Sequence, residues 1–179
     1  MSHSSHITAY ISAGANLGDR AAALRGALRA LGEMAGVRVA AVSAIYETEP
    51  VGGVTQPLFL NLAARLEIAV SVALTPEALL GEMQRIERVF GRGREGEIRW
   101  GPRTLDLDLL LFGDERRATD FLTLPHPRMW ERAFVLAPLR EVAVGALREK
   151  LEDYQPRPPA RIWRESRARA SSRAKKGPR

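Results

Sequence analysis

The stretch that most limits the folds open to this chain is Arg99-Trp-Gly-Pro-Arg-Thr-Leu-Asp-Leu-Asp-Leu-Leu-Leu-Phe112. Residues 105–112 have strand composition, and side chains alternate between the two faces of a strand. Asp106 and Asp108 therefore share a face. Two unpaired carboxylates at the mouth of a sheet repel each other, so that face calls for a divalent cation. Oxygen-only ligands with no nearby His or Cys favour Mg²⁺ over zinc. Arg99 and Arg103 lie just upstream around a Gly-Pro pivot, and a metal beside paired arginines suits a polyphosphate. The competing reading is an edge strand carrying solvated acids, because exposed edges are protected by charge. The arginines count against it: charges meant only for solubility need no Gly-Pro pivot beside them.

Upstream, the periodicity predicts a regular order. Residues 7–13 read as a strand closed by Gly14, and 19–35 as a helix with Leu24, Leu28 and Leu31 on one face. Gly36 ends that helix, and a valine-rich strand follows at 37–46. Pro50, Gly52, Gly53 and Pro57 make 47–57 a loop. The strand at 58–68 alternates clearly: Leu60, Leu62, Ala64, Leu66 and Ile68 on one face, Phe59, Asn61, Arg65 and Glu67 on the other. Thr75-Pro76-Glu77 opens a helix whose buried stripe is Leu79, Met83, Ile86 and Phe90, stopped by Gly91. A polar loop over 91–103 leads into the Asp-x-Asp strand. This order, βαββαβ, predicts an α+β fold with a ferredoxin-like core. Beyond it come a loop at 113–127 with a short strand near Phe121–Leu124, a helix at about 128–140 and a further helix at 145–153.

A chain of 179 residues is one domain on length, with room for a real core. The absence of cysteine excludes disulfides, thiolate metal sites and cysteine nucleophiles. No apolar run approaches the ~20 residues of a membrane span, and Met-Ser-His-Ser-Ser-His lacks the segments of a secretion signal. The expectation is a soluble, cytoplasmic protein with no membrane partner. The net charge of +6 is unevenly spread: residues 157–179 carry nine Lys or Arg against Glu165, a surplus of +8, and the rest is −2. We therefore expect a single domain over 1–156 and a basic, unstructured tail over 157–179, touching nucleic acid at most non-specifically.

Other constellations leave alternatives open. Gly14-Ala-Asn-Leu-Gly18-Asp19 follows a strand and opens a helix, where anions bind. It lacks both the third glycine of a dinucleotide fingerprint and the Lys-Ser/Thr of a Walker loop, so a tight turn explains it equally well. Phe59 and Asn61 suit a platform that stacks a flat heterocycle and reads its edge, or an ordinary half-covered sheet face. Pro125-His126-Pro127 holds a histidine stiffly, for hydrogen bonding rather than metal ligation. No Ser–His–Asp or Gly-x-Ser-x-Gly arrangement supports acyl transfer.

With these motifs in hand, the chain closely resembles the 6-hydroxymethyl-7,8-dihydropterin pyrophosphokinase family of folate biosynthesis. The matching blocks are Tyr10 to Asp19, Tyr46 to Asn61, Gln84 to Arg94, Arg99 to Gly113 and Leu122 to Phe134. Arg-Trp-Gly-Pro-Arg-Thr-Leu-Asp-Leu-Asp is the most specific of them. The resemblance implies transfer of pyrophosphate from the co-substrate ATP to the hydroxymethyl oxygen of the pterin, with release of AMP. It also implies that Asp106 and Asp108 hold two Mg²⁺ ions and that Arg92, Arg94 and Arg103 grip the triphosphate. Trp100 would pack as the 91–103 loop closes. Gln84, Glu87, Leu109, Thr123, His126 and Arg132 match the nucleotide side. Phe59 and Phe134 would sandwich the pterin, with Asn61 bonding its edge, Asp106 beside it, and Thr48 to Val51 completing the pocket. The 91–103 loop is about one residue longer than in some relatives, and beyond Glu141 the resemblance ends.

Two other classes compete. A nucleic-acid-binding ferredoxin-like module predicts basic and aromatic residues across a sheet face, yet the body of the chain is net acidic. A Mg²⁺-dependent nuclease built on Asp106 and Asp108 needs a further acidic motif, and gives Trp100 and Phe59 no task.

Overall fold

Alternating apolar positions and well-formed helix caps dictate most of the architecture. The computed structural model describes residues 5–51, 55–93 and 101–152, and the backbone of 160–162. In chain order the elements are β1 (His6–Ala15), α1 (Arg20–Gly32), β2 (Val37–Val42), β3 (Tyr46–Thr48), β4 (Phe59–Ala69), α2 (Pro76–Val89), β5 (Asp106–Phe112), β6 (Arg117–Ala118), β7 (Thr123–Leu124), α3 (Ala133–Val142), α4 (Gly145–Glu152) and β8 (Ala160–Ile162). Asp19 caps α1 by accepting from the Ala22 N–H at 3.1 Å. Thr75 does the same for α2 through Ala78, with Pro76 at the first helical position.

The main sheet runs β5-β1-β4-β3-β8 and is antiparallel at every one of these pairings, with β2 alongside the later half of β4. The β1-α1-β2-β4-α2-β5 core has the ferredoxin-like order expected. One sheet face packs Ile11, Leu60, Leu62 and Leu107 against Leu24 and Leu31 of α1 and Leu79, Met83 and Ile86 of α2. The other packs Tyr10, Ala63 and Leu110 against Leu136, Leu139 and Val142 of α3. A register shift where Tyr10 and Ile11 meet Leu111 and Leu109 lets the leucine run serve both faces. Among the described residues, no helix is long and apolar enough to cross a membrane.

The boundaries differ from expectation in five places, the first being that Glu47 and Thr48, expected in a loop, belong to β3. The strand expected at 37–46 is broken after Val42, because the Ser43 hydroxyl accepts from the Ala63 N–H at 3.0 Å and takes over a rung of the ladder. The helix expected at 128–140 is a single 3₁₀ turn at Met129–Glu131 followed by α3; extended backbone at Arg132 (φ −106°, ψ 105°) separates them. The short strand near Phe121–Leu124 is a two-residue pairing of β7 with β6. Ala160–Ile162, inside the segment expected to be an unstructured tail, adds a strand to β3. That expectation is corrected for these three residues, since an exposed edge offers backbone groups that any sequence can pair with.

Candidate active site

α3 covers only part of its sheet face. Where that cover ends, Ser12 and Gly14 of β1, Phe59 and Asn61 of β4, and Asp106 and Asp108 of β5 form the floor of a cleft of about 600 Å³, open to solvent. Arg132 and Phe134, at the start of α3, stand along it with Thr48 to Val51, Gly101 and Arg103. The pairings Gly14↔Asp106 and Ser12↔Asp108 confirm that both carboxylates share this face.

Asp106 is pinned from two directions. Arg92 Nη1 reaches one carboxylate oxygen at 2.5 Å, and Arg103 Nη1 the other at 2.6 Å. Arg92 is itself held by Glu87, 2.5 Å away, and Glu87 Oε1 also accepts from the Leu107 N–H at 2.8 Å. Only 1% of Glu87 is exposed. Its carboxylate thus holds both Arg92 and the backbone at the start of β5. Asp108 has Arg132 at 3.6 Å. Burial, then the neighbouring Asp106 charge, push the Asp108 carboxyl up to about 7, against the opposing pull of Arg132. Although 32% of this side chain meets solvent at the cleft mouth, the protein packed around its other sides decides the direction.

Aromatic rings line the same cleft. Phe59 and Phe134 both line the cleft, and the Arg132 guanidinium lies 5.6 Å from the Phe134 ring centre. Asn61, also lining the cleft, is buried and donates to Thr48 Oγ1 at 2.7 Å. Thr48 ends β3, which is tied to α3 by the Tyr46 hydroxyl donating to Glu141. Burial and that carboxylate push Tyr46 up to about 12, so it stays a donor at neutral pH.

The structure brings together Thr48, Val51, Phe59, Asn61, Arg103, Asp106, Asp108, Arg132 and Phe134 on one cleft, with Arg92 and Glu87 behind Asp106. Gln84 lies one helical turn before Glu87 on α2, and Thr123 is exposed on β7. His126 donates its backbone N–H to Leu110 O at 2.9 Å, and its Nδ1 accepts from the Arg128 N–H at 3.3 Å. Burial, reinforced by Arg132, lowers its pKa. The ring is therefore neutral at pH 7, with its proton on Nε2. Leu109 packs its side chain into the core on the opposite face, which leaves its backbone available to a nucleotide. Arg94, Arg99 and Trp100 lie outside the described residues. Gly14 alone of the 14–19 turn lines the cleft. It and Ser12 carry no chemical signature; only the register of β1 against β4 and β5 reveals them.

Residues 10–144 match the family model described as 7,8-dihydro-6-hydroxymethylpterin-pyrophosphokinase. The chain is 46% identical over 157 residues to the 2-amino-4-hydroxy-6-hydroxymethyldihydropteridine pyrophosphokinase of Bacillus subtilis (strain 168), covering 88% of this chain and 90% of that one. It is 42% identical over 137 residues to the protein of the same name from Haemophilus influenzae, covering 76% and 82%. A solved structure of an HPPK-DHPS in complex with substrates superposes with a TM-score of 0.56 at 14% identity, over 76% of this chain and 40% of that one. This last likeness concerns the fold alone.

Proposed function

The chain belongs to the 7,8-dihydro-6-hydroxymethylpterin-pyrophosphokinase family, and we propose that the cleft described above is where it transfers pyrophosphate from ATP to the hydroxymethyl oxygen of the dihydropterin in folate biosynthesis. The hydroxymethyl oxygen releases its proton to solvent and bonds to the β-phosphorus, the bond to the oxygen bridging the α- and β-phosphorus breaks, and AMP leaves. One observation carries the assignment of the cleft: two aromatic rings, Phe59 and Phe134, line the same space as a carboxylate–arginine cluster. Each half suits one of the two substrates, and neither suits both.

In this reading Phe59 and Phe134 stack the pterin and Asn61 bonds its edge. Arg92, Arg94 and Arg103 neutralise the triphosphate, and Arg132 and the neutral His126 contact the nucleotide with Gln84, Thr123 and the Leu109 backbone. Trp100 packs over the bound substrates. Asp106 and Asp108 hold two Mg²⁺ ions. The donor set fits: Mg²⁺ is commonly held by one or two carboxylates together with substrate phosphates. Among the described residues, no three His, Cys, Asp or Glu groups gather into an all-protein cage. When bound, Mg²⁺ would offset phosphate charge and fix its orientation. The missing third acid also weighs against a nuclease, and the acidic cleft floor against a nucleic-acid module. A cytoplasmic location completes the proposal, supported by the bacterial sources of the similar proteins.

Incubating the protein with ATP, Mg²⁺ and the hydroxymethyl dihydropterin tests it directly. AMP and the pterin pyrophosphate should appear in equal amounts. ADP in place of AMP would mean simple kinase chemistry and overturn the reading.

A further inference from the structure

The chemistry above leaves the turn Gly14-Ala-Asn-Leu-Gly18-Asp19 without a task, yet its Asn16 is only 2% exposed. The Asn16 Oδ1 accepts from the Arg103 N–H at 2.6 Å. Its Nδ2 donates to Gln56 Oε1 at 3.0 Å and to the Pro57 carbonyl at 3.1 Å. One short planar group thus joins two segments from separate parts of the chain. The first carries Arg103, whose guanidinium holds Asp106. The second ends two residues before Phe59, which lines the cleft.

We propose that Asn16 is a positioning residue that sets the spacing between the nucleotide half and the pterin half of the cleft. The inference rests on the functional reading given above. Transfer between two bound substrates is sensitive to misplacements of about 1 Å, and the Asn16 carboxamide joins the two segments by direct hydrogen bonds. A carboxamide suits the task because it supplies an acceptor and two donors in fixed geometry. Aspartate keeps the acceptor for Arg103 but offers Pro57 no donor. Alanine loses the whole bridge. In every such variant the backbone N–H groups of residues 16 and 17 still donate to the Arg103 carbonyl, at 2.9 and 3.1 Å in the parent, so the turn stays docked.

The test compares the parent with Asn16→Ala, Asn16→Asp and Gln56→Ala by AMP-release kinetics, thermal melting and pterin titration with and without a non-reactive ATP analogue. Loss of buried hydrogen bonds across the bridge should lower kcat of Asn16→Ala roughly five- to 150-fold. Each KM should change far less, because the contacts within each half survive. Any gain in pterin affinity that the nucleotide analogue produces in the parent should shrink. Asn16→Asp should fall between, and Gln56→Ala should show a smaller kcat loss of the same kind. A lower melting temperature with kcat and ligand coupling unchanged would make Asn16 a structural staple only and overturn the inference. If Asn16→Ala fails to fold, Gln56→Ala decides: parental kcat there overturns the inference, and a selective kcat loss supports it. A parent that releases no AMP would overturn the functional reading, and this inference with it. An active parent with unaltered variants would overturn this inference alone.

Discussion

The amide oxygen of Asn61 lies 2.7 Å from the point that a Cβ on residue 14 would occupy. The two residues are direct partners across β1 and β4, and Asn61 is tethered on its other side to Thr48. Glycine at 14 thus leaves the Asn61 amide the room to hold its place beside β1. Gly14→Ala should displace the amide, and Asn61→Ala should remove it. An unmade buried hydrogen bond costs about 1–3 kcal/mol, so either variant should bind pterin roughly five- to 150-fold more weakly. Affinity for a non-reactive ATP analogue should hardly move. Equal weakening of both ligands in equilibrium titrations would assign Asn61 to the fold rather than to the pocket.

Asp106→Ala and Asp108→Ala should each nearly abolish turnover without unfolding the protein. Losing one carboxylate that holds Mg²⁺ should forfeit about 4 kcal/mol of transition-state stabilisation, near a thousandfold in rate. Turnover close to the parent's at saturating Mg²⁺, in either variant, would refute the two-metal assignment.

The raised carboxyl of Asp108 makes two pH effects testable. In the metal-free protein its pKa stands at about 7 against an ordinary value of 3.8. The folded form therefore binds more protons than the unfolded chain between these values. Its contribution to stability is fully present below about pH 4 and is lost as pH rises through 7. Cation binding runs the other way, since a protonated carboxyl must release its proton to take Mg²⁺. Apparent Mg²⁺ affinity, followed by calorimetry in buffers of different ionisation enthalpy, should fall below pH 7 with proton release on binding. Asp108→Asn should abolish that release. Its persistence in the variant would assign the proton to another group.

The pairing of β8 with β3 predicts that the C-terminal segment is divided in function. A chain ending at residue 162 should melt with the parent, whereas one ending at 156 loses the strand beside Tyr46–Thr48. Losing about 1–2 kcal/mol of edge pairing should lower the melting temperature by roughly 2–8 °C. Because Thr48 ends β3 and lines the cleft, the KM for pterin should rise as well. Identical melting curves for the two truncations would show that β8 contributes nothing.

Much of this architecture was legible beforehand because it depends on short-range rules. Thr75-Pro76 announced α2, and strict alternation from Leu60 to Ile68 announced β4. Asp106 and Asp108 share a face because strand geometry leaves no other arrangement. The misplaced boundaries have equally specific causes: a serine hydroxyl substituting for a ladder partner at Ser43, and extended backbone at Arg132. Neither is a matter of periodicity. A match of residue positions carries no information about which face a side chain takes, so only the structure shows that the Leu109 side chain belongs to the core.

By itself, the sequence determined the element order, the apolar faces and the carboxylate pair, since all follow from spacing within a few residues. Tertiary structure alone decided that α3 would cover only part of one sheet face and leave the cleft beside it. It also decided that Glu87 would turn inward beneath Arg92, and that Gly14 would pass under Asn61. Asn16 and Arg103 stand 87 residues apart, and Asn16 and Gln56 stand 40 apart. No local pattern encodes such separations. They are settled only when the core closes and each buried polar group must take whatever partner the packing brings within reach.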